Sequence, residues 1–128
     1  MMMGAVHKTE EGFYISGKGS TEAILKRSKS ILINGEVKNI TEDDKKEWED
    51  KNNVLAEDGL RVLSFAFKNT DSLPDGKEEE DFLQDLVFVG LIGFLDPPRK
   101  EVADSIETAK KAGIKVVMVT GDHPGTAF

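Results

Sequence analysis

Residues 86–122 read LVFVGLIGFLDPPRKEVADSIETAKKAGIKVVMVTGD, and this stretch decides the fold. Its first part, Leu86–Leu95, is a nearly continuous apolar run, which is typical of a strand buried on both faces. The run ends at Asp96-Pro97-Pro98-Arg99, because a proline cannot donate a hydrogen bond to a sheet ladder and favours extended geometry in the residue before it.

A helix and a second strand are predicted after the two prolines. Apolar residues recur on one helical stripe at Val102, Ile106 and Ala109, and Gly113 is placed to end the helix. The β-branched run Ile114–Val119 then predicts a strand, so the whole stretch reads as one βαβ unit. Polar groups follow that last strand, at the edge where open α/β sheets bind ligands: Thr120, Gly121 and Asp122.

Composition excludes several classes of function. The chain has 128 residues and a net charge of −7, which disfavours nucleic acid or an anionic membrane as a partner. It contains no cysteine and only two histidines, so disulfides, thiolate chemistry and a histidine-rich metal site are not expected. No apolar run approaches the ~20 residues of a membrane span, and the first residues do not resemble a signal peptide. We therefore expect a soluble, intracellular chain.

The residues before Leu86 alternate between strand and helix signals. An Asn-Gly pair predicts a tight hairpin, a threonine cap with acidic residues behind it predicts a long helix, and Phe82 with Leu83 predicts a short helix or an apolar anchor. The predicted elements are strands over 1–6 and 12–16, a hairpin over 31–37 about Asn34-Gly35, a helix over 41–58 ended by Gly59, a strand over 60–68, and a polar loop without a ligand role over 69–81.

The segment Gly17-Lys18-Gly19 lies where a strand passes into a helix that Ser20 or Thr21 can cap. One interpretation is a phosphate contact, because the glycines permit close backbone approach and Lys18 supplies positive charge. The other is an ordinary strand-to-helix turn with a solvated lysine. The spacing does not match a P-loop.

Arg61 also allows two interpretations. Alternation along its strand places it on the same face as Leu63, Phe65 and Phe67. It is either an edge arginine whose aliphatic stem packs on these neighbours, or a guanidinium directed at a phosphate.

Four motifs in order give the chain a resemblance to P-type ATPases, above all to the calcium- and sodium-pump-like subgroup. The Asp-Pro-Pro-Arg motif followed by a βαβ unit ending in Thr-Gly-Asp is the most specific of them. The motifs are Lys18-Gly19-Ser20-Thr21-Glu22, Gly59-Leu60-Arg61-Val62-Leu63, Asp96-Pro97-Pro98-Arg99 and Met118-Val119-Thr120-Gly121-Asp122.

The resemblance implies an α/β fold in two parts. Residues 1–94 resemble the C-terminal part of the nucleotide-binding domain, a twisted, mainly antiparallel sheet with helices. Residues 95–128 resemble the hinge and the start of the second segment of the phosphorylation domain, a βαβ piece of a Rossmann-like, haloacid-dehalogenase-type fold.

The resemblance also implies the site residues. Lys18, Gly19, Arg61 and Leu63 match positions of the ATP pocket, with Arg61 at the phosphates and Leu63 near the adenine. Asp96 borders the loop that holds the transferred phosphoryl group. That loop corresponds to Thr120, Gly121 and Asp122. ATP and Mg²⁺ are the expected cofactors of the parent protein, and no metal ligand is expected within this chain.

Departures from the family pattern limit what this chain is expected to do alone. The usual Lys-Gly-Ala-Pro-Glu is Lys-Gly-Ser-Thr-Glu here, so the helix start lacks its proline. The phosphorylated aspartate, an aromatic residue that stacks on adenine and a second pocket lysine are expected upstream, and the magnesium motif downstream. We therefore expect an inactive, soluble piece of an ion-translocating membrane ATPase that works through an aspartyl-phosphate. It would lie on the cytoplasmic side, with ATP and the other domains of its own parent chain as partners and no nucleic-acid or direct membrane contact.

Two other functions are compatible with parts of the sequence. A soluble phosphohydrolase of the dehalogenase superfamily would need an Asp-x-Asp nucleophile after a strand, and the nearest candidates lie about Asp43 and between Asp71 and Asp75. A non-catalytic domain that binds a protein partner through its acidic surface is the third possibility.

Overall fold

A computed structural model describes residues 2–73 and 82–121. The order of elements is β1 (Met2–Thr9), β2 (Gly12–Gly19), α1 (Thr21–Lys26), β3 (Ser28–Ile33), β4 (Glu36–Asn39), α2 (Glu42–Glu57), β5 (Arg61–Thr70), β6 (Leu86–Phe94) and α3 (Val102–Lys111). The strands form one sheet in the order β1-β2-β5-β6-β3-β4. Its neighbouring strands are antiparallel except β3 and β6, so the mainly antiparallel α/β sheet predicted for residues 1–94 is confirmed.

Several elements begin and end where local sequence signals predict. The Thr41 hydroxyl accepts a hydrogen bond from the Asp44 amide at 3.1 Å, and the Asp44 carboxylate accepts one from the Thr41 amide at 3.0 Å. These two bonds form a capping box at the start of α2. Hydrogen bonding of Thr41 to the Asp44 carboxylate, first of all from the Thr41 backbone amide, holds the pKa of Asp44 below its usual value. Asn34 and Gly35 both have positive φ, at 52° and 80°, as a tight hairpin turn between β3 and β4 requires.

The strand predicted over Leu86–Leu95 exists as β6, but its surroundings differ from the prediction. It pairs antiparallel with β5 and parallel with β3, and it is not the first strand of a βαβ unit. The prediction of burial on both faces is also wrong, because alternate residues are exposed, with Ile92 at 52% and Phe94 at 46%.

The βαβ unit predicted over residues 86–119 is not formed in the described part of the chain. The helix predicted after the prolines is present as α3, with Ile106 and Ala109 half-buried on the predicted stripe. Residues 114–121, however, have no regular secondary structure and are exposed. Thr120 and Gly121 therefore do not lie at the end of a strand, and Asp122 lies outside the described residues. The run at 114–119 has β-forming side chains, but it pairs with no strand in the described part of the chain, and a strand needs a paired neighbour to be stable.

Helices α1 and α2 cover one face of the sheet, and the core lies beneath them. Trp48 of α2 packs edge-on against Phe88 of β6, with 5.2 Å between ring centroids. The buried apolar cluster consists of Ile15, Ile24, Leu25, Ile31, Ala66, Leu83, Leu86 and Phe88. Leu83, predicted as a possible anchor, is 2% exposed and completes this cluster from outside the regular elements.

The opposite face of the sheet, here named the open face, has no helix against it in the described part of the chain. Tyr14 and Phe67 stack on it with 5.8 Å between ring centroids, and its apolar side chains include Met3, which is 59% exposed. By strand alternation and register, the open face includes Met3, Ala5, His7, Tyr14, Ser16, Lys18, Arg61, Leu63, Phe65, Phe67, Ile92 and Phe94.

Candidate functional site

Lys18, Leu63 and Arg61 lie together on the open face. Lys18 of β2 is directly opposite Phe65 of β5, so the two side chains point to the same side of the sheet. Leu63 and Arg61 precede Phe65 at two-residue steps along β5, which keeps them on that side. Three of the four residues predicted to bind ATP are therefore brought to one surface by register.

The spacing of the two cations suits an extended polyanion. Four residue steps separate Phe65, the partner of Lys18, from Arg61, and at roughly 3.4 Å per residue this is about 14 Å along the strands. Both cationic side chains are long and flexible, so their charged ends can approach a common ligand between them. Leu63 and Phe65 are half-buried, and between Lys18 and Arg61 they form an apolar surface against which a planar ring can pack.

Gly19 is positioned differently from the other three. It is the last residue of β2, it is buried, and it lies opposite Ser64, whose side chain is on the helix-covered side. Gly19 therefore does not belong to the open face. Gly19 can contribute to a site on that face only through its backbone. It also ends β2 directly after Lys18.

A cavity lies on the other side of the sheet, between α1, α2 and β5. Its volume is about 340 Å³, and its polar lining includes Ser20, Glu22, Glu49 and Asn52. Two carboxylates and no lysine or arginine make it unfavourable for a phosphate. The open face, which carries both cations, is the better candidate for an anionic ligand.

A chain of buried hydroxyl groups connects this cavity to β5. The Ser64 hydroxyl donates to Thr21 Oγ1 at 2.8 Å, and the Thr21 hydroxyl donates to Asn52 Oδ1 at 2.9 Å. Ser64 is 0% and Thr21 3% exposed. No pattern in the sequence predicts this network. Its members are 43 and 31 residues apart, and no local pattern signals such pairing.

The remaining predicted site residues lie outside the sheet. Asp96 is exposed in the segment between β6 and α3, and Thr120 and Gly121 are exposed in the irregular segment after α3. Asp43, a candidate nucleophile for a phosphohydrolase, is in the first turn of α2 and does not follow a strand. Asp71 follows β5, whereas Asp75 lies outside the described residues.

No divalent metal site is visible in residues 2–73 and 82–121. Within those ranges no three histidine, cysteine, aspartate or glutamate side chains are grouped so that they could hold an ion. Magnesium in phosphate-handling sites is usually bound by one or two carboxylates together with waters and substrate phosphates, so it does not require such a group.

The fold and the open face define an α/β domain with helices on one side of its sheet and a cationic, partly apolar surface on the other. Residues 1–101 match the family model of the P-type ATPase, cytoplasmic domain N. The chain belongs to this family.

The relatives include both calcium-transporting and sodium/potassium-transporting ATPases, the two pump types that the motifs suggest. The chain is 44% identical over 127 residues to calcium-transporting ATPase 1 of Bacillus cereus, with 99% of this chain and 14% of the relative covered. It is 42% identical over 127 residues to the sodium/potassium-transporting ATPase subunit alpha of Tetronarce californica, with 94% of this chain and 12% of the relative covered. The chain thus spans about an eighth of the length of these relatives.

Across the residues that the structure describes, no helix is both long enough and apolar enough to cross a bilayer.

Proposed function

We propose that this chain contributes one wall of the ATP pocket in an ion-translocating P-type ATPase that works through an aspartyl-phosphate intermediate. The observation that carries the proposal is the register of β2 with β5, which gathers Lys18, Leu63 and Arg61 on one open face. Membership of the nucleotide-domain family supports the assignment of this face to ATP.

The proposed roles follow from charge and shape. Lys18 and Arg61 offset the phosphate charge and orient the terminal phosphoryl group, and Leu63 contacts the adenine. Catalysis of phosphoryl transfer depends largely on positioning and on stabilisation of charge, so a domain that holds the nucleotide contributes by placement.

We further propose that the chain divides near residue 95. Residues 1–94 would belong to the nucleotide-binding domain, and residues 95–128 to the hinge and the phosphorylation domain. In that second part Thr120, Gly121 and Asp122 would form the loop around the transferred phosphoryl group, with Thr120 donating a hydrogen bond to it. The parent is a membrane protein with this portion on the cytoplasmic side, and the chain alone does not hydrolyse ATP.

Replacing Arg61 by alanine in the full-length ATPase tests the nucleotide site. The Arg61→Ala variant should need a higher ATP concentration for half-maximal phosphorylation, because a charge that faces the phosphates is lost. Lys68→Ala is the matched control. It removes a positive charge from the same strand, but alternation places Lys68 on the helix-covered side, where its Nζ donates to the Gln84 carbonyl at 2.9 Å. An ATP dependence unchanged in Arg61→Ala would remove this residue from the site.

A further inference from the structure

We propose that Thr21 is a positioning residue for this nucleotide site. Its hydroxyl ties the end of β2, which carries Lys18, to β5, which carries Arg61 and Leu63. The inference rests on the proposed function and adds a residue on the opposite side of the sheet that does not touch the nucleotide.

The first support is the position of the bond in the register. Backbone pairing between β2 and β5 ends at Gly19 and Ser64, after which β2 turns into α1. The Ser64 hydroxyl then donates to Thr21 Oγ1 at 2.8 Å, so the side chains continue the connection where the backbone ladder stops. Ser64 adjoins Leu63, and Thr21 lies three residues after Lys18, so this tie joins β2 and β5 next to the residues predicted to contact ATP.

The second support is that the Ser64 and Thr21 hydroxyl groups are buried and that both have hydrogen-bond partners. The Thr21 hydroxyl donates a hydrogen bond to Asn52 Oδ1 at 2.9 Å, which links α2 to the junction of β2 and β5. In the described residues no buried side-chain nitrogen or oxygen lacks a partner, so removing the Thr21 hydroxyl would leave Ser64 without its acceptor. An unpaired buried hydroxyl is costly, and the surrounding backbone would have to shift to relieve it.

The third support is the residue type. Thr21 is the first residue of α1, a helix position at which proline is also favoured. Proline suits the first turn of a helix because its φ is already fixed there, but it has no hydroxyl. Threonine supplies the bridging oxygen instead, so in this chain the strand-to-helix turn is held by a side-chain hydrogen bond.

Two substitutions at Thr21 separate the hydroxyl from the shape of the side chain. Thr21→Val replaces the hydroxyl by a methyl group, and Thr21→Ser retains it. In the full-length ATPase we expect Thr21→Val to raise the ATP concentration for half-maximal phosphorylation by about two- to tenfold, the factor of one net hydrogen bond. The maximal phosphorylation level should not change, and Thr21→Ser should remain within about twofold of the wild type.

Ser28→Ala is the matched control for stability alone. The Ser28 hydroxyl is also buried, and it donates to the Ile24 carbonyl of α1 at 2.7 Å, away from the network. This variant should lower the unfolding temperature as Thr21→Val does, but leave the ATP dependence unchanged. If Thr21→Val does not fold, Ser64→Ala makes the same test, because it removes the donor to Thr21 without altering the helix start.

An ATP dependence unchanged in Thr21→Val, or raised equally in Thr21→Ser, would overturn the positioning role. The ATP dependence of Arg61→Ala, measured in the same experiment, distinguishes an error about Thr21 from an error about the nucleotide site. If Arg61→Ala shifts the ATP dependence and Thr21→Val does not, the inference about Thr21 alone is wrong. If neither shifts it, the nucleotide site itself is wrong.

Discussion

Gly17 has no side chain, and this leaves room for Leu83 to pack in the core. A Cβ at this position would lie 3.0 Å from Leu83 Cδ2 and 3.7 Å from Leu86 Cδ1. Opposite it on β1, a Cβ at Gly4 would lie 2.8 Å from Leu83 Cδ2. The two glycines thus form the recess that receives Leu83, which is why this residue is buried although it lies outside the regular elements.

We predict that Gly17→Ala destabilises the chain by roughly 1 to 3 kcal/mol, because the added methyl group overpacks a closed site. The loss should be smaller when Leu83 is also changed to alanine, since the clash then disappears. Chemical denaturation of the two single variants and the double variant measures this coupling. Ser16→Ala, one residue earlier on the open face, is the control and should have little effect. Strict additivity of the Gly17 and Leu83 substitutions would contradict the recess.

Residues with a local role were predictable, and those with a distant partner were not. Thr41 caps the helix that begins one residue later, and Asn34 forms a turn within its own hairpin, so neighbouring residues determine both. The side of the sheet that Arg61 faces also followed from alternation. Its position relative to Lys18 depends on the pairing of β2 with β5, which lie some 40 residues apart in sequence, and alternation alone does not fix such a register.

At the scale of elements, α2 depends on its first turn. Glu42, Asp43 and Asp44 all lie near its positively polarised N-terminus, but Asp44 alone completes the capping box with Thr41. The two hydrogen bonds with Thr41 lower the pKa of Asp44. Its carboxylate therefore adds stability above the unfolded-state pKa, and that contribution is lost as pH falls through the lower folded-state pKa.

We predict that Asp44→Ala destabilises the chain more than Asp43→Ala at neutral pH, and that the excess disappears once the pH falls below the lowered folded-state pKa of Asp44. Both substitutions remove an acidic side chain from the same turn, so their difference isolates the bond with Thr41. Denaturation curves of both variants at several pH values measure it. An excess that persists undiminished at low pH would show that the ionised carboxylate is not responsible.

The two apolar runs within residues 86–122 show what the pattern of side chains does and does not determine about a strand. Both Leu86–Leu95 and Ile114–Val119 have strand-forming residues, but only the first has neighbours, β5 on one side and β3 on the other. A strand is stabilised by its partners as much as by its own side chains. The direction and partners of β6 could therefore not be predicted from its sequence, and neither could the irregular structure of residues 114–121.

At the scale of the whole molecule, stability is unevenly distributed. The sheet and α1 surround the buried cluster, whereas α3 and the residues on either side of it, from 95 to 121, contain no fully buried residue. We predict fast amide exchange over residues 95–121 and slow exchange in β2, β5 and β6, because segments with few buried contacts open with little free energy. Hydrogen exchange followed by mass spectrometry measures this. Protection of 114–119 equal to that of β5 would indicate that the predicted strand forms.

The open face also determines how tightly the 128-residue chain can hold ATP by itself. Exposed charge pairs contribute about 0 to 1 kcal/mol each, so Lys18 and Arg61 together fall short of the roughly 4 kcal/mol that corresponds to a Kd of 1 mM. We therefore expect calorimetry at 0.15 M salt, an ionic strength of roughly physiological level, to give ATP binding weaker than about 1 mM. Binding should weaken further with added salt and in the Lys18→Ala, Arg61→Ala double variant. Micromolar or tighter binding by the unmodified chain would mean that these residues already form a complete pocket, and the proposal that this chain contributes only one wall of it would be wrong.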